Sequence, residues 1–401
     1  MSIDTNSVQE IWARAQRKFF DKNLALSLAN REPGDALKVE GGKKFHRAIL
    51  GNAAMQTYTP LTATSAQQNV STEDEFLEID RTSDAESIHI NIDDTEKAQL
   101  KNYNLEAHYG EMLGNRMRDA VEKRWVSAID SVQSIGSTSD PVNFSGADIH
   151  DIVEDGSALV DVADVNDLTR VLLVGPREWR AIEKAAAQRE TALGDQTLVN
   201  GYPARQLYDY LLVRSNNLPW RAELGLATAP TDGDSVKVAG FTVRFLDDLG
   251  DHTDGELSVL IGNAAETRAN LANLFSGGGT VGTDYVAMTI TQEHYLRNNR
   301  RIAATTAADM VFTGFGDIGV SDDLTEDSDG WKNQSKTIFF TAVGATDLGL
   351  QLDDGLEMSR PKPVTGEAHF TRLSGVQLHN YKTFEDGRLM TVKTFVDASG
   401  Y

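Results

Sequence analysis

The stretch from Thr95 to Val132 contains no proline, and it limits the possible folds more than any other part of the chain. Tyr109, Met112, Leu113, Met117, Ala120, Val121, Trp125, Ala128, Ile129 and Val132 recur at three- and four-residue steps, the spacing of an apolar helix face. Read as one helix, the stretch is about 38 residues and roughly 57 Å long. Globular helices average only about 11–12 residues. Such a helix needs a long surface to lie on, or it is the backbone of an extended molecule. Gly110 and Gly114 mark where it could kink. Just before it, Ile88, Ile90 and Ile92 alternate with His89 and Asn91, the period of a half-buried strand. The alternation stops at Asp93-Asp94. Carboxylates there suit the free N–H groups of a first helical turn, and Glu96 adds the other half of a capping box.

The remaining elements follow from similar patterns. Ser2 to Leu26 reads as an amphipathic helix with Ile11, Trp12, Ala15, Phe19 and Phe20 on one side and Arg14, Arg17 and Lys18 among them. It is either a docking arm or a helix packed on its own domain. Arg31 to Ala54 reads as irregular, and Ala54 to Thr72 is polar. Strands at 75–79 and 88–92 read as a hairpin. After a Gly/Ser/Pro linker come a helix over 147–162 interrupted at Gly156, a buried strand at 171–174, a helix entered through Pro176, and a buried strand at 211–213. Trp220 to Ala229 reads as a connector. Ser235 to Phe245 reads as a hairpin around Gly240, with further strands at 257–261, 284–290 and 305–312 and a helix over 264–275. This 220–335 block reads as self-contained and inserted. Asp317 to Asp329 reads as an acidic linker, 336–340 as a buried strand, 345–352 as a short helix or turn, and 378–396 as a closing hairpin.

With 401 residues, two or more substructures are expected. The absence of cysteine excludes disulfides, thiolate metal sites and thiol catalysis. The polar first ten residues give no sign of a signal peptide, and no apolar run is long enough to span a bilayer. A net charge of −22 argues against a groove that wraps phosphate backbones.

No catalytic, cofactor-binding or metal-binding residues emerge. His46, His89, His108, His150, His252, His294, His369 and His379 are scattered without ligand spacing. Gly277, Gly279 and Gly282 satisfy G-x-G-x-x-G but follow a helix and precede a strand, the wrong order for cradling a pyrophosphate, so they read as a turn. The acidic run at 322–330 has a calcium-loop flavour. Its best register starts at Thr325 and puts Lys336 where a bidentate Glu belongs, so a solvated linker is the better reading. Asp93-Asp94 is read as a cap rather than an acid–base pair.

Taken in order, Ile92-Asp-Asp94, Lys97-Ala-Gln99, the long helix and Ala128-Ile-Asp130 resemble the major capsid proteins of tailed bacteriophages, the Hong Kong 97-type fold. Arg170 to Pro176 followed by a helix, Asn200-Gly201, Leu212-Val-Arg-Ser-Asn-Asn-Leu-Pro219, Ala342-Val-Gly-Ala345 with Gln351, and Leu378 to Phe384 resemble further stretches of that family. The resemblance spans most of the chain except 220–335. It implies an α+β capsid fold with an N-terminal arm over 1–39, a projecting hairpin (the E-loop) and leading strand over 40–92, and a spine helix over 93–135. An axial domain over 136–219, an inserted β-rich domain over 220–335, an axial return over 336–370 and peripheral closing strands over 371–401 complete it.

The resemblance also implies a structural role. Hexamers and pentamers of the chain would tile an icosahedral shell of a virion, assembled in the host cytoplasm with a scaffolding protein. A portal would occupy one vertex, cement or decoration proteins would join, and DNA would be enclosed without sequence-specific binding. No lysine lies between Gly51 and Asp94, so the Lys–Asn cross-links of some family members are not expected; Lys43 and Lys44 are the nearest lysines. With only about fifty residues ahead of the arm, a separate scaffolding protein is expected. The alternatives are another phage structural protein, in a tail or stabilising a shell, and a carboxylate-based hydrolase.

Overall fold

The computed structural model describes residues 28–33, 43–50, 72–80, 82–93, 105–146, 148–162, 169–188, 198–199, 202–203, 206–207, 209–307, 309–325, 330–352, 357–359 and 370–399. The sequence expectations for 2–26, for most of 54–72, for 94–104, for Asn200-Gly201 and for 326–329 lie outside these residues. The chain divides into two compact units. One contains Ala29–Met117 and Thr346–Phe384, the other Arg118–Ala345 and Glu385–Tyr401.

In the first unit the strand Phe370–Lys382 is central. Ala85–Asp93 runs antiparallel to it, Phe370 opposite Asp93 and Leu378 opposite Ala85. Asp347–Leu352 and Glu357–Ser359 also pair with it. Ile88, Ile90 and Ile92 fall on one face of their strand and pack with Leu373 and with Tyr109, Leu113 and Met117 of the helix Leu105–Ala128. The isoleucine alternation and the helical stripe thus meet in one core. Gly110 and Gly114 both lie within this unbroken helix. Thr72–Glu78 pairs with Lys44–Leu50 in a separate two-stranded ribbon.

In the second unit a nine-stranded sheet forms around Gly330–Ala342. This strand pairs with Arg170–Val174, Pro219–Gly225 and Val392–Asp397. Arg170–Val174 in turn pairs parallel to Tyr210–Arg214. Val171 through Val174 are fully buried, which explains their continuous apolar run. The helix Asp148–Val162 passes uninterrupted through Gly156, where a Cβ would come within 2.8 Å of the Phe340 ring. Glycine there costs some helix propensity but lets the aromatic ring close on the helix. A four-stranded sheet has the order Leu257–Leu260, Phe241–Leu246, Ser235–Val238, Ser321–Asp323. The helix Ala264–Ser276, opened by an Asn263–Glu266 capping box, adds Leu271, Leu274 and Phe275 to the same core. Ala239 and Gly240, both at positive φ, make the two-residue turn of the expected hairpin.

Several expectations are corrected. Strand 75–79 does not pair with 88–92. Two carboxylates of Thr72–Glu78 stand opposite basic residues instead, Glu78 opposite Lys44 and Glu75 opposite Arg47. The strand Lys44–Leu50 lies inside the supposedly irregular 31–54 and lacks alternation. The long helix ends at Ala128 rather than Val132. Ser131 N–H donates to Asp130 Oδ1 at 2.8 Å, and Gln133–Ile135 leaves as a strand beside Val392–Asp397. The 378–396 hairpin is broken by the helix Glu385–Met390, and its two strands lie in different sheets. Acidic residues in that helix's first turn favour helix over turn.

Trp220 to Ala229 begins as a strand, with Trp220, Ala222 and Leu224 buried on one face. The 284–290 stretch forms no strand beyond bridges from Tyr285 to Val259 and Val281. The 305–312 stretch divides between strands Ala303–Thr305 and Asp309–Phe315, 345–352 contains the strand Asp347–Leu352, and 317–329 contains the strand Ser321–Asp323. The 220–335 block has its own core but is not self-contained. Pro219–Gly225 joins the ladder of Gly330–Ala342, and Asp309–Phe315 joins Pro219–Gly225. The chain changes unit at 117/118, 345/346 and 384/385.

Inside this second unit, Lys336 Nζ donates to Glu178 Oε2 at 3.0 Å, and both side chains are 1% exposed. Gly175 abuts the pair closely, and a Cβ there would collide with both charged groups. Removing one member of a buried pair leaves the other charge uncompensated. Lys336→Met is expected to lower unfolding free energy by about 3–5 kcal/mol. Adding Glu178→Leu should recover most of that loss, because an apolar pair of similar volume replaces the ions. Guanidinium denaturation midpoints of the two variants check this.

Candidate functional site

Among the described strands of the first unit, only the two of the ribbon pair outside its main sheet. Seven residue pairs, from Lys44↔Glu78 to Leu50↔Thr72, set the ribbon's register. Its base is apolar: Ile79 is fully buried and packs with Leu378 and Phe45. Leu77 is buried beside Gly349, where a Cβ would lie 2.8 Å from Leu77 Cδ2. Polar pairs cross the ribbon as well. Lys44 Nζ lies 3.1 Å from Glu78 Oε2, and His46 Nδ1 lies 2.8 Å from Asp74 Oδ2. Exposed pairs of this kind are worth about 0–1 kcal/mol each. They favour the register, while the apolar base provides the hold.

In the second unit, two adjacent charges on the long helix hold two segments that are distant in sequence. Ser215 Oγ donates to Glu122 Oε1 at 2.6 Å, and Asn217 Nδ2 donates to Glu122 Oε2 at 3.0 Å. The Ser-Asn-Asn-Leu-Pro stretch is thus the docking point for a helix carboxylate. Lys123 Nζ bonds to the carbonyl of Asn299, the last residue of the π-helical turn His294–Asn299. Neither role was evident from the sequence. The usable signal was a pair of charges flanked by Val121, Trp125 and Val126, all buried.

The scattered histidines take unrelated places. His46 pairs with Asp74, His252 Nδ1 lies 2.8 Å from Ser258 Oγ, and buried His379 meets Tyr381 edge-on. Gly277, at φ 80, ends the helix Ala264–Ser276, its N–H bonded to Asn273 O at 2.9 Å. The G-x-G-x-x-G run therefore closes a helix rather than opening one. Asp322 Oδ2 accepts from Trp331 N at 3.0 Å, so this carboxylate of the acidic run fastens neighbouring backbone. Among the described residues no group of three or more His, Asp or Glu could hold a metal ion, and no described helix is long and apolar enough to cross a membrane.

Burial pushes the Lys123 ammonium down to about 8 from 10.5; Asp119 and Glu122 pull upward, and Arg301 and Arg300 push further down. The side chain is 3% exposed. Between pH 8 and 10.5 the unfolded chain holds this proton and the folded chain does not, so stability rises with pH across that window. Below pH 8 both states are protonated and the full cost of the buried charge remains. The stability difference between wild type and Lys123→Met should therefore shift in favour of wild type by roughly 1.4 kcal/mol per pH unit above about pH 8. Denaturation midpoints of both proteins at about pH 7.5 and about pH 9.5 check it.

No protein-family model and no curated protein matches the chain. Among solved structures it is similar to a chain of Mycobacterium phage Che8, with 13% identity, a TM-score of 0.50, and coverage of 93% of this chain and 91% of that one. More distant likenesses include the capsid structure of cyanophage P-SCSP1u, with 11% identity, a TM-score of 0.47 and coverage of 89% and 84%. The mature capsid of bacteriophage PhiM1 has 9% identity, a TM-score of 0.44 and coverage of 95% and 88%. The Che8 likeness runs nearly end to end on both chains, so the chain shares a mixed helix-and-sheet fold with that phage protein, in line with the phage resemblance seen in the sequence.

Proposed function

We propose that this chain is the major capsid protein of a tailed bacteriophage, assembling as hexamers and pentamers into an icosahedral shell around double-stranded DNA. The observation that carries the reading is the fold shared with the Mycobacterium phage Che8 chain over 93% of this sequence. On this reading the ribbon Lys44–Leu50/Thr72–Glu78 is the E-loop and Leu105–Ala128 is the spine helix. The sheet around Gly330–Ala342 belongs to the axial domain, and the four-stranded sheet belongs to the insertion.

The role is structural rather than enzymatic. A ribbon with a buried base and polar strands suits reversible contact with neighbouring copies, and heterologous contacts of that kind close into rings. A net charge of −22 keeps enclosed DNA apposed without tight binding. A scaffolding protein, a portal and cement or decoration proteins complete the assembly. The chain resides in the virion after assembly in the host cytoplasm.

Sedimentation and negative-stain imaging of the purified chain, alone and with the scaffolding protein of its virus, test this. Capsomers or closed shells are the expected result. A monomer under both conditions, or tubes and rings without shells, would overturn it in favour of another role.

A further inference from the structure

We propose that Asn380 and Lys382 are positioning residues that hold the ribbon's base in one orientation by hydrogen bonding to its outer edge. Ile79 N–H donates to Lys43 O at 2.9 Å, so the backbone groups at 79 and 77 face the partner strand. Those at 78 and 76 then point outward, away from Lys44–Leu50. Such an edge would ordinarily offer itself to another strand. Here two side chains occupy it instead. Asn380 Nδ2 donates to Glu78 O at 2.8 Å, and Lys382 Nζ donates to Phe76 O at 3.1 Å. The two donors are alternate residues on the strand Phe370–Lys382 and meet alternate carbonyls, so the fit is strand to strand with side chains in place of a ladder.

The surroundings support both donors. Asn380 Nδ2 also reaches Asp84 Oδ2 at 3.1 Å, and that same oxygen accepts from Asp80 N at 2.7 Å, just beyond the ribbon. Lys382 Nζ lies 5.2 Å from the Phe384 ring and 5.6 Å from the Phe76 ring. Lys44 Nζ lies 4.2 Å from the same Phe76 ring, and Arg47 lies over Phe384 at 5.1 Å. The two ring contacts of Lys382 fix where its ammonium sits. Among the described residues, the bonds and packing that Phe370–Lys382 makes with the ribbon fall on Phe45, Phe76, Glu78 and Ile79, so the latch acts on the base. The inference rests on the geometry of one unit and not on the assembly reading.

Amide hydrogen exchange of the full chain, measured before any assembly, tests it. Asn380→Ala with Lys382→Ala should raise exchange over 44–50 and 72–78 by about tenfold, and leave 170–174 and 335–342 unchanged. Lys382→Arg, which keeps a donor and a cation, should restore most of the protection relative to Lys382→Ala. Lys44→Ala, which removes a ring contact and an exposed ion pair, should leave the ribbon near wild type. Unchanged exchange in the ribbon of the double variant would overturn the proposal, as would an equal rise in every strand, which would mean general destabilisation. Should Asn380→Ala/Lys382→Ala fail to fold, the Lys382→Ala and Lys382→Arg pair decides the matter: greater ribbon protection in Lys382→Arg supports the latch, and equal exchange in the two overturns it.

Discussion

Backbone hydrogen bonding along Gly330–Ala342 is the constraint on which the second unit depends. A thirteen-residue strand must find ladder partners for most of its length, or bury unpaired polar groups. It finds them in Arg170–Val174, Pro219–Gly225 and Val392–Asp397, segments separated by large stretches of sequence. The strand is thus a seam that joins the region before 220 to the region after 330. Whatever lies between can form a further sheet without disturbing the seam, because its chain leaves and re-enters through paired strands. The core around Phe245, Leu271 and Phe312 grows from that seam rather than beside it.

Long-range pairing of this kind is slow to specify, and the buried charges narrow the choices. Lys336 lies on the seam and meets Glu178 in the first turn of the helix that follows Arg170–Val174. A one-residue slip of the strand would turn Lys336 to the opposite face and strand both charges. Glu122 and Lys123 act similarly from the long helix, one on 215–217 and the other on Asn299. Ion pairs and buried lysines add little net stability compared with apolar packing, yet their misplacement is expensive. Their value here lies in excluding alternative registers.

Elements whose burial is uniform along one face were legible in the sequence. Ile88, Ile90 and Ile92, the 171–174 run, and the helices entered at Pro176 and Asn263 all carry a local periodic or capping signal that tertiary packing keeps. Partnership was not legible. The strand at 72–78 offered no sign that Lys44–Leu50 would be its mate, because the match lies in charges facing across the ladder and not in either strand alone. Trp220, Ala222 and Leu224 do alternate, but Pro219 and the neighbouring asparagines speak for a connector until a flanking strand is known. Gly156 reads as a helix breaker only when Phe340 is absent from view. The roles of the charges at 122, 123, 178 and 336 were hard to read for a simpler reason: charged residues are ordinarily found at the surface.

The ribbon shows how an apolar base and polar cross-strand pairs together hold a two-stranded element in register. A two-stranded hairpin is marginal in water by itself, so some of its stability must come from the body of its unit. At the base, Leu77 and Ile79 are buried and outward carbonyls meet side-chain donors. Such capping removes the edge nearest the strand Phe370–Lys382 from competition by other strands. Farther out, Asp74 pairs with His46 across the ribbon, so a polar contact continues the register beyond the apolar base. Charge and apolar packing must both match for the ribbon to form in this register, and that double requirement excludes neighbouring registers.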